Sequence, residues 1–133
     1  MSDRNTNIEP NTVDAIVRLL MLTVYADRVQ KPQEMSAVLR LIPRLQVFAD
    51  GGFFSDLQNL DALILVFDQE IRELMDESSL ADEIETAIGL IDSPILIPMV
   101  LAAMRDIANA DHEYHLAENA IIERAARTWG VPL

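Results

Sequence analysis

The sequence predicts an all-α protein, a single compact bundle of about six or seven helices with a weak internal two-fold repeat. Half of its 133 residues are hydrophobic, yet only 5% are aromatic and only 4 are glycine, which suits packed helices better than a sheet sandwich. Apolar residues recur at helical spacing in nearly every long segment. Capping residues, prolines and glycines separate these segments, and one domain over residues 1–133 is long enough to bury a core.

The first helix is predicted within "NTVDAIVRLLMLTVYAD" (11–27). Asn11 or Thr12 is a suitable N-cap, and Asp14 lies in the first turn, where the helix dipole favours an acid. Apolar residues cover most of the circumference, which predicts a central and largely buried helix. The polar residues 1–10 before it are expected to be flexible.

The second and third helices are separated by the clearest break in the chain. The second is expected to begin at Pro32, a residue suited to the first helical position, and to run towards Pro43. "ADGG" (49–52) then interrupts the pattern with two glycines. Apolar residues resume helical spacing from Leu57 to Met75, which predicts the third helix.

Turn residues mark the later helices. "DESS" (76–79) predicts a turn, with Ser79 capping a helix that reaches about Ile91. "DSP" (92–94) predicts the next start, and Pro98 either kinks that helix near its beginning or begins it. The last helix carries an apolar stripe and ends at Gly130, a suitable C-cap residue.

Charge is distributed unevenly along the chain and limits the classes of partner that the protein can bind. Residues 1–52 carry 6 acids and 6 bases, whereas residues 53–133 carry 16 acids and 4 bases and account for the net charge of −12. Nucleic acid is not expected as a partner because phosphate binding needs basic surface. A cation or a basic protein face fits better, and the alternative is a solvated acidic face that maintains solubility.

Other sequence features indicate a cytoplasmic protein without membrane insertion. The absence of cysteine excludes disulfides, thiolate metal clusters and thiol nucleophiles. The polar N-terminus does not resemble a secretory signal. The longest uncharged apolar run, "SPILIPMVLAAM" (93–104), is too short to span a bilayer.

A weak internal repeat appears when the chain is shifted by 84 residues. "ADRVQKPQE" (26–34) then lies over "ADHEYHLAE" (110–118), and both follow an apolar helix and precede another. Asp27 and Asp111 are thus expected at helix C-termini, where the dipole makes an acid unfavourable by roughly 0.3–1 kcal/mol. Either a bound divalent cation or a turn of backbone N–H groups would compensate these carboxylates. Glu34 and Glu118 are expected in the following first turns, where acids are favourable.

The two connections, with "NAIIERAARTWGV" after the second, resemble the TerB-like family of bacterial tellurite-resistance and stress-response proteins. The likeness covers residues 12 to 131 and is most specific in 103–131. A similar domain begins some membrane-anchored J-domain co-chaperones. The resemblance implies an all-helical, non-enzymatic domain that binds a divalent metal through acidic loop residues. It also implies a protein partner, such as a membrane-associated stress protein.

Carried over position by position, the metal ligands that the resemblance implies are Asp27, Glu34, Asp111 and Glu118. Members of the family usually carry glycine after each aspartate, where this chain has Arg28 and His112. Arg28 can itself neutralise Asp27 without a metal. Oxygen ligands favour Ca²⁺, Mg²⁺ or Mn²⁺ over Zn²⁺. His112, Glu113 and His115 are weaker metal candidates, and surface or capping roles are their alternative.

Two other functions remain open. The acidic region 56–92 could dock a basic partner without any metal. An enzymatic alternative is a Mg²⁺-dependent nucleotide pyrophosphatase, in which Glu70 and Glu73 would face Asp82 and Glu85 from a neighbouring helix. Spacing of i,i+3 puts each pair on one helix face, although such spacing also arises on solvated acidic faces. The sequence does not specify an oligomeric state.

Overall fold

The computed structural model describes residues 8–27, 32–46, 60–73, 77–110 and 116–132. They form six α-helices: α1 (Val13–Val24), α2 (Pro32–Gln46), α3 (Leu60–Glu73), α4 (Glu77–Gly89), α5 (Leu96–Ala108) and α6 (Leu116–Trp129). A 3-10 turn, Tyr25–Asp27, extends α1. None of the residues so described is in a β-strand, and the predicted all-α class is confirmed. Residues 1–7 of the segment expected to be flexible lie outside these ranges.

Helix α1 lies at the centre of the bundle. All of its residues are buried, and it packs against α2, α3, α4, α5 and α6. This confirms the prediction from its apolar circumference. Each fully buried Leu, Ile or Val contributes roughly 1.5–3 kcal/mol to folding, so α1 is the main source of core burial.

The start of α1 is held by two adjacent polar residues. Thr12 is the N-cap, and its hydroxyl accepts a hydrogen bond from the N–H of Ala15 at 3.3 Å. Asn11 has a φ of 63°, a left-handed conformation that asparagine tolerates better than most residues. Its side-chain oxygen accepts from the N–H groups of Asp92 and Ser93 at 2.9 and 3.0 Å. Asn11 therefore joins the start of α1 to the α4–α5 connection.

Helix α2 continues past the proline that was expected near its end. It runs through Pro43 to Gln46. A proline inside a helix removes one backbone hydrogen bond and costs about 3 kcal/mol. The burial of Leu41, Ile42 and Leu45 on the inner face offsets this cost, and the proline itself is exposed.

The boundaries of α4 and α5 also differ from the prediction. Helix α4 begins at Glu77, so Ser79 lies inside its first turn and the predicted cap at Ser79 is wrong. Leu80, the fourth residue of α4, is buried, and this packing favours a helix that already includes the turn before it. Pro98 is the third residue of α5. First-turn N–H groups have no partner within the helix, so proline is tolerated there.

Helix α6 ends as its sequence predicts. Gly130 has a φ of +70°, and its N–H donates to the carbonyl of Arg127 at 3.2 Å. The N–H of Val131 donates to the carbonyl of Ala126 at 2.9 Å, which completes a Schellman motif. The half-buried Trp129 donates from Nε1 to the carbonyl of Ile88 at 3.3 Å and so ties α6 to α4.

The two repeats pack crosswise. Within them, α1 packs against α2, and α5 packs against α6. Between them, α2 packs against α5, while α6 packs against α1 and the 3-10 turn that follows it. A shift of 84 residues exchanges these two inter-repeat contacts, which supports the internal repeat.

Candidate functional site

The structure describes only part of the predicted metal-binding set. Asp27 ends the 3-10 turn after α1, as the sequence predicts, but its side chain lies outside the described residues. Asp111, His112, Glu113 and His115 also lie outside them. The roles assigned to these residues therefore stay predictions.

Glu34 and Glu118 occupy equivalent positions in the two repeats. Each lies in the first turn of its helix, as predicted, Glu34 in α2 and Glu118 in α6. Both side chains are fully buried, with 0% exposure, which the sequence pattern does not indicate. An ionised carboxylate is costly to bury unless hydrogen-bond donors or a cation compensate it. Two such carboxylates at matching positions are therefore the strongest candidate site in the described structure.

Matching grooves lie beside these two helix starts. Beside Glu34, a groove of about 660 Å³ is lined by Gln33, Ser36, Arg40 and Ala110, among others. Beside Glu118, a groove of about 170 Å³ is lined by the residues 84 positions away, Ala117, Ala120, Arg124 and Ala26. Each groove thus combines the second helix of one repeat with the residue just before the aspartate of the other repeat. The start of α6 therefore lies near Ala26, and the start of α2 lies near Ala110, the residue before Asp111.

The 3-10 turn is tied to α3 by a polar cluster. The hydroxyl of Tyr25 donates to Asp68 Oδ1 in a short hydrogen bond. Arg72 Nε donates to Asp68 Oδ2 at 2.9 Å, and its guanidinium lies 5.8 Å from the centre of the Tyr25 ring. Burial and the interaction with Asp68 raise the pKa of Tyr25 above its ordinary range. The hydrogen bond to Asp68 also raises the pKa of Arg72. These contacts fix the turn that ends at Asp27.

A buried arginine in α1 is an important feature that the sequence reasoning missed. Arg18 has 0% exposure, and its Nη1 donates to Glu70 of α3 at 2.5 Å. Its Nε donates to Glu83 of α4 at 3.0 Å, and its guanidinium lies 5.0 Å from the centre of the Phe67 ring. One signal could have indicated this arrangement, because a lone cation in an otherwise apolar, buried helix requires a charged partner.

This ion-pair network bears on the enzymatic alternative. The predicted pairs set Glu70 and Glu73 against Asp82 and Glu85. In the structure, Glu70 and Glu83 both form ion pairs with Arg18. The other three predicted residues, Glu73, Asp82 and Glu85, are exposed. Within the described ranges, no group of three or more His, Cys, Asp or Glu side chains is placed to hold a metal ion.

The length of the apolar helices bears on membrane insertion. No helix in the described part of the chain is long and apolar enough to cross a membrane. The apolar run at 93–104 contributes to α5, which has 13 residues.

Sequence comparisons agree with the helical architecture. The family model described as "Tellurite resistance protein TerB" matches residues 13–132, nearly the whole chain. No curated protein and no solved structure is detectably similar to it. With its all-helical fold and paired acidic connections, the chain belongs to the TerB family.

Proposed function

We propose that this chain is a non-enzymatic, cytoplasmic stress-response module that binds a divalent cation at its acidic connections and thereby alters a protein-binding surface. The single observation that carries the proposal is the complete burial of Glu34 and Glu118 at matching positions of the two repeats. Burial strengthens interactions between a carboxylate and a cation, because water screens them less. Membership of a tellurite-resistance family is consistent with a role in stress response.

The crosswise packing supports two sites that each draw on both repeats. The turn ending at Asp27 packs against α6, which carries Glu118. Helix α5 packs against α2, which carries Glu34 and lines a groove together with Ala110, the residue before Asp111. We therefore propose that Asp27 acts with Glu118, and Asp111 with Glu34.

The donor chemistry fits a hard cation. Carboxylates supply oxygen ligands, and Ca²⁺, Mg²⁺ and Mn²⁺ prefer oxygen, so we expect these ions to bind before Zn²⁺. Each described glutamate provides one carboxylate, and the aspartates would add the second. A bound cation would neutralise charge next to the 3-10 turn. Because the Tyr25–Asp68–Arg72 cluster ties this turn to α3, the surface of α3 is the one most directly coupled to the site.

Calorimetric titration of metal-free protein with Ca²⁺, Mg²⁺, Mn²⁺ and Zn²⁺ tests the proposal. We expect saturable heat with an oxygen-preferring ion, and a cation at one hundred times its Kd should stabilise the fold by about 2.7 kcal/mol. Glu34→Gln and Glu118→Gln should each remove one binding event, because glutamine keeps the shape but loses the charge. Glu123→Gln is the matched control, since Glu123 is exposed on the same helix as Glu118. Absence of heat and of stabilisation with all four ions would show that the buried glutamates are structural.

A metal-independent scaffold is the second candidate, and the acidic α3–α4 region favours it. These two helices carry eight acids and one base. A basic amphipathic peptide should bind this region in low salt with chelator present, and binding should weaken strongly as salt is added. Asp61→Asn with Glu73→Gln should reduce binding, whereas Glu123→Gln should not. Peptide binding whose affinity does not change with salt concentration would contradict this candidate.

The pyrophosphatase is a remote third candidate. Its only support is the density of acids on α3 and α4. Incubation of the protein with nucleoside triphosphates and Mg²⁺, followed by chromatography, tests it directly. We expect the nucleotides to remain intact.

A further inference from the structure

A long groove runs between α2 and α5. Its polar end is lined by Gln33, Ser36 and Asn109 and encloses about 660 Å³. Its apolar end encloses about 240 Å³ and includes Leu45 and Met99. Both parts share the lining residues Leu41, Arg44 and Asp106, so they adjoin. The groove follows α2 from residue 33 to residue 45, a length of roughly 18 Å at 1.5 Å per residue.

The groove has a basic wall although the protein is strongly acidic. The charged residues that line it are Arg40, Arg44 and Asp106, which sum to +1 in a chain of net charge −12. Arg40 and Arg44 lie one helical turn apart. A ligand for this groove should therefore combine an acidic side chain with neighbouring apolar side chains.

Helix α3 presents such a surface. Leu65 and Val66 are large apolar side chains with 70% and 40% exposure. The exposed charged residues of this helix are Asp61, Arg72 and Glu73, which sum to −1. Asp61 lies one helical turn before Leu65, roughly 6 Å along the axis, whereas Arg72 and Glu73 lie at the far end of the helix. In the groove, Arg40 lies roughly 8 Å along α2 from Leu45 of the apolar end, so the spacing between charge and apolar side chain is similar on the two surfaces.

We propose that the α2–α5 groove of one copy of this chain binds the exposed face of α3 from a second copy. Leu65 and Val66 pack over the apolar end of the groove, and Asp61 lies beside Arg40 and Arg44. The contact joins two different surfaces, so in each pair one copy keeps a free α3 face and the other keeps a free groove. Assembly therefore proceeds head to tail, and it does not depend on the metal binding proposed above.

Sedimentation velocity with chelator present tests this contact. At about 0.15 M salt, charges more than about 8 Å apart are largely screened, so net repulsion between the acidic chains is limited. We expect the weight-average sedimentation coefficient of the wild-type protein to rise with concentration. Arg40→Glu with Arg44→Glu should abolish the rise, and so should Leu65→Gln with Val66→Gln. Arg105→Glu with Arg127→Glu is a charge-matched control outside the groove, and its sedimentation coefficient should still rise with concentration.

Mixing the two defective variants gives the sharpest result. The arginine variant keeps an intact α3 face, and the Leu65/Val66 variant keeps an intact groove. An equimolar mixture should therefore form a one-to-one dimer that grows no further, although each variant alone is monomeric. Circular dichroism of each variant confirms that it is folded.

Three outcomes would overturn the proposal. The first is a wild-type protein that stays monomeric at every concentration. The second is a mixture of folded variants that does not associate, because that result indicates contact between identical surfaces. The third is a monomeric wild-type protein that binds a synthetic acidic amphipathic peptide through Arg40 and Arg44, which would assign the groove to a different chain.

Discussion

Replacing Arg18 by methionine removes a buried charge while keeping an unbranched side chain of similar length. The wild-type guanidinium is fully buried, and its partners Glu70 and Glu83 have side-chain exposures of only 21% and 11%. All three groups therefore lie where water screens poorly. In Arg18→Met, two largely buried carboxylates remain without their cation.

The structure sets the expected magnitude. At an effective dielectric constant of about 20, opposite charges about 3 Å apart attract by roughly 6 kcal/mol, which about offsets the desolvation of each ion. Removing one member of a buried network costs about 3–5 kcal/mol, because the remaining charges stay buried. That is a large part of the 5–15 kcal/mol typical of a whole domain. Replacing all three residues, as Arg18→Met with Glu70→Gln and Glu83→Gln, should restore most of the loss.

Urea unfolding followed by circular dichroism measures these differences. The exposed residue Arg105 provides a control, and Arg105→Met should change the free energy of unfolding by less than about 0.5 kcal/mol. The reasoning is refuted if Arg18→Met is as stable as wild type at pH 7, or if the triple variant is no more stable than Arg18→Met.

Substitutions at three further positions test local features. Burial and the interaction with Asp68 raise the pKa of Tyr25 above its ordinary value of 10.0. The unfolded chain therefore loses this proton at a lower pH than the folded chain, and the free energy of unfolding should fall as the pH rises above 10. Urea titrations across this range should show a less steep fall for Tyr25→Phe, which should also be about 1–3 kcal/mol less stable at neutral pH. Asn11→Gly should lower the free energy of unfolding by about 1–3 kcal/mol, because the side-chain hydrogen bonds are lost. Asn11→Ala should lower it by about 1 kcal/mol more, because alanine is strained at the positive φ of this position. Chemical denaturation of both variants measures the difference. Pro43→Ala should raise the free energy of unfolding by about 1–2 kcal/mol, visible as a higher Tm, because it restores a helix hydrogen bond at an exposed site.

Local chemistry explains what the sequence predicted well. The burial of α1 follows from apolar residues around most of its circumference. The cap at Thr12 and the left-handed Gly130 follow from residue preferences that act over a single turn. Such features depend on neighbours in the chain, so a sequence pattern contains them.

Tertiary packing explains what the sequence could not predict. The partners of Arg18 lie 52 and 65 residues away, so no local pattern identifies them. First-turn acids usually face solvent, and the burial of Glu34 and Glu118 depends on how the opposite repeat packs. Helix α2 passes Pro43 because burial of its inner face outweighs a local preference.

The central position of α1 has a consequence for synthesis of the protein in the cell. This helix leaves the ribosome before the helices that cover it, and α5 and α6 follow it by more than 70 residues. The nascent chain therefore exposes twelve residues of largely apolar helix until α5 and α6 have also been synthesised. Chaperones that bind apolar segments should have longer access to α1 than to the helices that cover it.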